Sequence, residues 1–176
     1  FTDCLLKRGA ALVYSVDVGF GQLAGRLRQD PRVRNMERTN ISDVTPGMLN
    51  PRPSLGVIDF SYLSLTVAVP AVANLLDAGQ QPEIVALVKP LFEVASALPD
   101  LTENQYRAAL SRALSAGSPA GLASRGVMAS PVLGSGGTLE FLVRYTAAQL
   151  PVSDCLSAQA DEAVRAGMYL LGKAEG

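Results

Sequence analysis

The sequence alternates short apolar runs with longer segments of helical periodicity, and this alternation restricts the folds that the chain can adopt. Runs rich in Val, Ile and Leu occupy residues 11–18, 55–59, 84–89 and 139–145, with a shorter one near Val33. Apolar strands separated by helices are typical of a parallel sheet that carries helices on both faces. The sequence therefore predicts an α/β fold with a mostly parallel sheet.

The segments between these runs have the length and punctuation of helices. Residues 2–8 end at Gly9, residues 22–28 allow one or two helical turns, and we expect Pro70 to interrupt a helix over residues 64–76. A further helix is predicted to begin after Thr102, because its apolar residues recur on one helical face.

The pattern changes toward the end of the chain. A weak strand over residues 127–133 lies between two glycine-rich turns, which predicts an antiparallel edge hairpin with the strand at 139–145. After Pro151 the apolar residues again share one helical face, with Ser153 and Asp154 as N-terminal caps. We therefore expect one domain over residues 1–150 and a packing helix over residues 151–176.

Composition excludes several classes of protein. With 176 residues and 48% hydrophobic content the chain is long enough for one domain with a core, and no run of 18 uncharged apolar residues predicts a membrane span or a leader. The chain contains no His and only two Cys, far apart, which argues against a metal site and a disulfide framework. We expect a cytoplasmic protein whose natural N-terminus lies upstream, because the sequence begins with Phe rather than Met.

The net charge of −1 gives no general reason to expect nucleic acid, although residues 1–38 are locally basic. Arginines clustered there could contact phosphate or could form a solvated face. The residues Gly19 to Gly25 raise a related question, since GFGQLAG resembles a dinucleotide-binding pattern. In the alternative interpretation Asp17 is the functional group and the glycines only turn the chain.

Charged residues stand where the apolar strands stop. Asp17, Asp59 and Lys89 end three of the predicted strands, and Glu140 opens the last one. Ligands of open α/β sheets bind beyond the carboxyl ends of the strands. If the last strand is antiparallel, Glu140 lies at the same edge as Asp59 and Lys89, and a lysine between two carboxylates could take a proton from a hydroxyl nucleophile.

Six strings stand in the order and spacing of a known family: FTDCLLKRGA, VYSVDVGFGQL, ERTN, VIDFSYLSL, ALVKPLFE and GGTLEFL. From Phe1 to about Tyr145 the sequence resembles the TlyA-type, hemolysin A-like, FtsJ-related ribosomal RNA 2′-O-methyltransferases. Six blocks in register are far more specific than one glycine pattern. The resemblance implies a class I, Rossmann-like methyltransferase fold, S-adenosylmethionine as cofactor, and ribosomal RNA or ribosomal subunits as partner.

The resemblance also assigns roles to individual residues. It places Asp59, Lys89 and Glu140 on the Asp, second Lys and Glu of a K-D-K-E catalytic tetrad. It places Asp17 with Val18 at the cofactor ribose, Asn40 near the adenine, and Asp59 beside the cofactor. The cofactor-binding residues Phe1, Thr2 and Asp3 correspond to the tail of a glycine-rich first motif.

The sequence departs from this family in two respects. Relatives carry a first strand, the first tetrad lysine and an S4 domain upstream of the region matched here, so we expect a truncated chain. After Glu93 the sequence reads VASALPDLTENQ where relatives have a glycine- and lysine-rich loop. Two alternatives to an active enzyme therefore stay open, namely a relative that binds cofactor or ribosomal RNA without methylating it, and a nicotinamide-dependent oxidoreductase.

Overall fold

The computed structural model describes residues 1–94, 101–149 and 156–174. Its strands are β1 (Val13–Asp17), β2 (Val33–Glu37), β3 (Leu55–Ile58), β4 (Glu83–Val88), β5 (Leu122–Ala129) and β6 (Phe141–Ala147). Its α-helices are α1 (Thr2–Lys7), α2 (Gly25–Arg28), α3 (Leu65–Leu75), α4 (Pro90–Glu93), α5 (Glu103–Ser115) and α6 (Leu156–Ala174). Short 3₁₀ turns at Ile41–Asp43, Pro46–Met48, Ser118–Ala120 and Ser135–Gly137 lie in the connections.

The strands form two sheets. β1 and β2 pair in parallel, and a second sheet has the order β3-β4-β6-β5. β3 and β4 are parallel, whereas β6 is antiparallel to both β4 and β5. The predicted α/β fold with parallel strands and an antiparallel edge hairpin is confirmed. The structure differs from the prediction of one sheet, because the strands divide into two sheets. Within the described ranges, β1 pairs only with β2, and β3 pairs only with β4.

The main core lies on the four-stranded sheet and is closed by α3, α5 and α6. Ile58, Ile84, Val88 and Phe141 are fully buried on its strands. Tyr14 and Val16 of β1 pack against this same core, and the Tyr14 hydroxyl donates a hydrogen bond of 3.1 Å to the Pro51 carbonyl. The two sheets are therefore joined through shared apolar packing rather than through backbone pairing.

Two sequence-based predictions of elements are wrong in detail. Pro70 does not interrupt its helix but lies inside α3, where the buried Ala68, Val69 and Val72 hold both halves against the core. Burial of an apolar face thus outweighs the one backbone hydrogen bond that proline removes. The weak strand begins five residues earlier than predicted, at Leu122, because the segment from Leu122 to Ala129 pairs with β6 except at a bulge between Ser124 and Gly126.

The helix after the second sheet packs on the domain. Ala163 and Val164 of α6 are buried in the main core, whereas Met168, predicted on the same apolar face, is 36% exposed. The predicted caps Ser153 and Asp154 lie outside the described residues. Among those described, no helix has the length and apolar content needed to span a bilayer.

Candidate active site

The carboxyl ends of β1 to β4 and the start of β6 form one edge of the molecule, called the rim below. Asp59 follows β3 directly, Lys89 follows β4, and Glu140 precedes β6. Val88 pairs with Phe141 at the end of the β4–β6 ladder, so Lys89 and Glu140 stand next to each other just beyond it. The antiparallel direction of β6 is what brings the glutamate to this edge.

Lys89 has two defined oxygen partners. Its Nζ atom lies 2.7 Å from Asp59 Oδ1 and donates a hydrogen bond of 2.7 Å to Ser61 Oγ. The lysine side chain is 19% exposed and the aspartate 46%, so the pair is open to solvent on the carboxylate side. Within the described part of the chain, Lys89 Nζ has no side-chain oxygen partner besides these two.

Glu140 is the third member of this cluster, and its carboxyl group interacts with the charges of Lys89 and Asp59. Its partial burial raises the pKa of its carboxyl group, Lys89 opposes that rise, and the Asp59 charge adds to it. Glu140 therefore begins to bind a proton at a higher pH than a free glutamate does. Since the folded state then holds this proton more tightly than the unfolded chain, this group's contribution to stability falls as pH rises through the raised pKa.

Asp17 lies at the same edge, at the end of β1. Its Oδ1 atom accepts a hydrogen bond of 2.7 Å from the Gly19 amide, whereas Oδ2 has no partner among the residues described. Burial raises the pKa of Tyr62, in the loop after β3, and the nearby Asp17 carboxylate raises it further. The rim is therefore continuous from β1 to β3, across the division between the two sheets.

The glycine loop after Asp17 is organised by its own chain. Gly21 has a φ of 71°, in the left-handed region that favours glycine, and its amide donates to Glu37 Oε1 at 3.0 Å. Arg28 donates to the same oxygen at 3.1 Å, and only 10% of the Glu37 side chain is exposed. Glu37 stands 18 residues after Gly19, close to where a dinucleotide-binding pattern has its acid, but here it holds the loop in place.

Most of the basic residues near the N-terminus are paired internally. Lys7 and Arg26 both form ion pairs with Asp3, and Arg32 pairs with Asp30. This pairing favours the interpretation of a solvated, mutually neutralised face over a phosphate-binding cluster. Asp3 is therefore already engaged by two cations.

The other predicted cofactor residues are accessible. Phe1 occupies the N-cap position of α1 and is 51% exposed, Thr2 begins that helix, and Val18 is 47% exposed beside Asp17. Asn40 caps the 3₁₀ turn at Ile41–Asp43, with its Oδ1 atom accepting from the Ser42 amide at 3.1 Å.

The rim residues fit the chemistry of S-adenosylmethionine. The free Oδ2 of Asp17 is a suitable acceptor for ribose hydroxyls, and the exposed amide group of Asn40 can donate to a base. These acceptors and donors fit S-adenosylmethionine, and the role of each residue in binding it stays a prediction.

Three residues at or behind the rim were missed in the sequence. Ser61 holds Lys89 and comes two residues after Asp59, and Gly134 leaves space for the Glu140 carboxylate. Glu93 is only 2% exposed and binds the start of α3. The spacing of Glu93, one helical turn after Lys89, was the one signal in the sequence that could have revealed it.

The domain has an acid at the end of its first described strand, a lysine–aspartate pair at the same edge and an antiparallel final strand, which is the architecture of a Rossmann-like methyltransferase. Comparison with known proteins identifies the family. Residues 1–144 match the FtsJ-like methyltransferases, and the chain belongs to this family. No feature of the rim then supports the nicotinamide-dependent alternative.

Individual relatives are consistent with this family. The chain is 41% identical over 152 residues to the 16S/23S rRNA (cytidine-2′-O)-methyltransferase TlyA of Mycobacterium tuberculosis. This match covers 81% of this chain and 54% of that protein. It is 44% identical over 94 residues to hemolysin A of Brachyspira hyodysenteriae, covering 53% of this chain and 38% of that protein. A solved structure described as "Putative hemolysin from Streptococcus thermophilus" superposes with a TM-score of 0.88 and 34% identity, over 99% of this chain and 64% of that one.

Proposed function

We propose that the chain is the catalytic part of a ribosomal RNA ribose 2′-O-methyltransferase that uses S-adenosylmethionine. The observation that carries this proposal is the cluster of Asp59, Lys89 and Glu140 at the rim. The name of the mycobacterial relative supports the choice of ribosomal RNA as substrate. Because the chain spans about half of that relative, the substrate and the ribosomal partner of the whole protein are part of the proposal.

The cofactor would be held at the β1 side of the rim. S-adenosylmethionine, when bound, supplies an electrophilic methyl group. Asp17 would accept hydrogen bonds from its ribose hydroxyls, with Val18 beside Asp17 and Asn40 near the adenine. Phe1 to Asp3 would line the same site at the start of α1.

The acceptor hydroxyl would be prepared by Lys89. A ribose hydroxyl is a weak nucleophile while it keeps its proton, and a side chain within hydrogen-bond reach can assist removal of that proton. Lys89 would act as the neutral amine: its two N–H groups would donate to Asp59 and Ser61, and its lone pair would accept the hydroxyl proton. Glu140 would tune the charge of the cluster, since its own carboxyl group is shifted toward the protonated form.

Exposed aromatic side chains near the rim support a nucleic-acid substrate. Tyr62 is 46% exposed and its ring lies 5.6 Å from that of Phe60. Phe20 is 64% exposed, with the Arg38 guanidinium 4.3 Å from its ring centroid. Aromatic faces combined with arginine are suited to stacking against unpaired bases.

Substitution of Lys89 tests the proposal in the complete gene product that contains residues 1–176. Lys89→Met and Lys89→Arg should each lower methyl transfer by roughly 10²-fold, because neither side chain can accept the hydroxyl proton. The measurement is incorporation of tritiated methyl groups from S-adenosylmethionine into ribosomal RNA and ribosomal subunits. Thermal melting and calorimetric cofactor binding serve as controls for the fold.

Two outcomes would change the assignment. If Lys89→Arg keeps nearly full activity, the lysine acts through its charge or position and is not a base. If the unmutated protein binds S-adenosylmethionine but methylates no RNA, the proposed enzyme activity is wrong and the protein is a binding relative.

A further inference from the structure

The loop that follows β3 and the loop that follows β4 are fastened to each other at two points. The first is at the rim, where Lys89 contacts Asp59 and Ser61. The second lies behind the rim, where Glu93 contacts Ser64 and the first residue of α3. The residues of the second point have no part in the proposed mechanism.

Glu93 is a buried carboxylate with two well-defined donors. Its Oε2 atom accepts a hydrogen bond of 2.7 Å from Ser64 Oγ, and its Oε1 atom accepts one of 2.8 Å from the Leu65 amide. Only 2% of the residue is exposed, and none of the described residues forms an ion pair with it. A carboxylate at the N-terminus of α3 is stabilised by the free amides and the dipole of that helix.

A short and stiff stretch of chain joins Glu93 to Lys89. The two residues are the last residue and the N-cap of α4, and the Phe92 amide donates to the Lys89 carbonyl at 3.0 Å. Pro90 fixes its own φ and keeps Lys89 in an extended conformation, with φ −108° and ψ 98°. Movement of Glu93 is therefore transmitted to the backbone that carries the amine.

The partner loop is equally short. Ser64 caps α3 and comes three residues after Ser61, the hydroxyl that receives the Lys89 hydrogen bond. Lys89 and Glu93 thus tie the loop after β4 to the loop after β3 at two points. The loop after β4 cannot move relative to the loop after β3 without breaking a hydrogen bond to the buried Glu93 carboxylate. Such bonds are among the stronger ones in proteins.

We propose that Glu93 is a positioning residue that holds the Lys89 amine on Asp59 and Ser61. The proposal rests on the proposed function only in its consequence for methyl transfer, because the position of the amine is a property of the chain itself. A misplacement of about 1 Å in a reacting group can cost about 10²-fold in rate. Glu93 would thus act on the reaction without touching substrate or cofactor.

The position of the amine can be measured without any activity. The sequence contains three lysines, and the side chain of Lys7 is 71% exposed whereas that of Lys89 is 19% exposed. A brief pulse of an amine-acylating reagent followed by peptide mass spectrometry gives the ratio of Lys89 to Lys7 labelling. Glu93→Ala should raise this ratio about threefold or more, since the loop then opens locally.

Two further variants separate position from charge. Glu93→Gln keeps an oxygen for the Leu65 amide and places its NH₂ group against Ser64 Oγ, so the labelling ratio should stay near the unmutated value. Ser64→Ala removes one of the two donors and should give an increase smaller than that of Glu93→Ala. It also provides a milder test if Glu93→Ala does not fold.

Leu110→Ala is the control for general loss of stability. Leu110 is 1% exposed on α5, so its truncation loosens the core. It should lower the melting temperature while leaving the labelling ratio unchanged. The proposal is overturned if Leu110→Ala raises the ratio as much as Glu93→Ala, if Glu93→Ala leaves it unchanged, or if Glu93→Gln raises it equally.

Kinetics in the complete gene product then test the consequence. Glu93→Ala should lower kcat by about 10-fold to 100-fold while the Kd for S-adenosylmethionine stays within about threefold. Unchanged kcat in Glu93→Ala would overturn the catalytic consequence. If the unmutated protein transfers no methyl group while labelling responds as expected, the proposed function fails and the positioning of Lys89 by Glu93 stands.

Discussion

At the scale of single residues, the position of Glu140 depends on a glycine six residues earlier. A Cβ atom at Gly134 would lie 2.6 Å from Glu140 Cδ and 2.9 Å from Thr138 Oγ1, much closer than real Cβ contacts allow. The backbone of Gly134 is extended, so the glycine is needed for space and not for a left-handed turn. The loop before β6 is therefore shaped around the carboxylate at the rim.

We predict that Gly134→Ala displaces the Glu140 carboxylate from the rim. The expected result is about a tenfold loss of methyl transfer, because the charge next to Lys89 moves away. The measurement is the same tritium assay in the complete gene product. Ser135→Ala, in the same loop and exposed, is the matched control and should keep full activity. Full activity of Gly134→Ala would mean that Glu140 does not need this position.

At the scale of elements, α6 contains two glycines with opposite surroundings. A Cβ atom at Gly167 would meet the buried Leu139 side chain, 2.6 Å from Cδ1, whereas one at Gly172 would meet nothing within 4 Å. Leu139 directly precedes Glu140, so the contact at Gly167 links the last helix to the loop that carries a predicted site residue. Close approach of α6 to this loop requires a residue without a side chain.

We predict that alanine has opposite effects at these two positions. Gly172→Ala should stabilise the domain by about 0.5–1 kcal/mol, the usual gain of alanine over glycine in a helix. Gly167→Ala should destabilise it by about 1–3 kcal/mol, because Leu139 is fully buried and cannot move aside freely. Urea unfolding of both variants measures the difference, and equal free energies of unfolding would show that α6 can shift on the domain.

At the scale of the whole molecule, four strands have an edge without a backbone partner among the described strands: β1 and β2 in one sheet, and β3 and β5 in the other. Unpaired strand edges expose donors and acceptors that another strand can satisfy. The curated relative from Mycobacterium tuberculosis is nearly twice as long as the matched region. A strand supplied from outside residues 1–176 could pair with one of these edges, for example that of β1 or of β3.

We therefore predict that a protein extended upstream of Phe1 binds S-adenosylmethionine at least about tenfold more tightly than residues 1–176, which corresponds to about 1.4 kcal/mol. Residues directly before Phe1 would lie next to Phe1, Thr2 and Asp3, which are predicted to bind the cofactor. Isothermal calorimetry on both proteins measures the difference, and Asp17→Asn should weaken binding in both. Equal affinities of the two unmutated proteins would show that the cofactor site is misplaced.

The sequence by itself determined the fold class and the three charged residues of the proposed catalytic cluster. Parallel strands that are buried on both faces consist of nearly continuous apolar residues, so they can be recognised in the sequence. The carboxyl ends of such strands lie at one edge of the sheet, where the charged residues that follow them can meet. Asp59 and Lys89 could therefore be expected in contact before any distance was known. The apolar periodicity after Thr102 was an equally local signal, and α5 begins directly after this residue as predicted.

Only the tertiary structure decided which neutral and buried groups hold that cluster. The hydrogen bonds from Lys89 to Ser61 and from Ser64 to Glu93 join residues 28 and 29 positions apart. Hydrophobic periodicity describes one element at a time and carries no information about such pairs. The same reason applies to the start of β5 at Leu122 and to the division of the sheet, since a strand is defined by the partner it finds across space and not by its own composition.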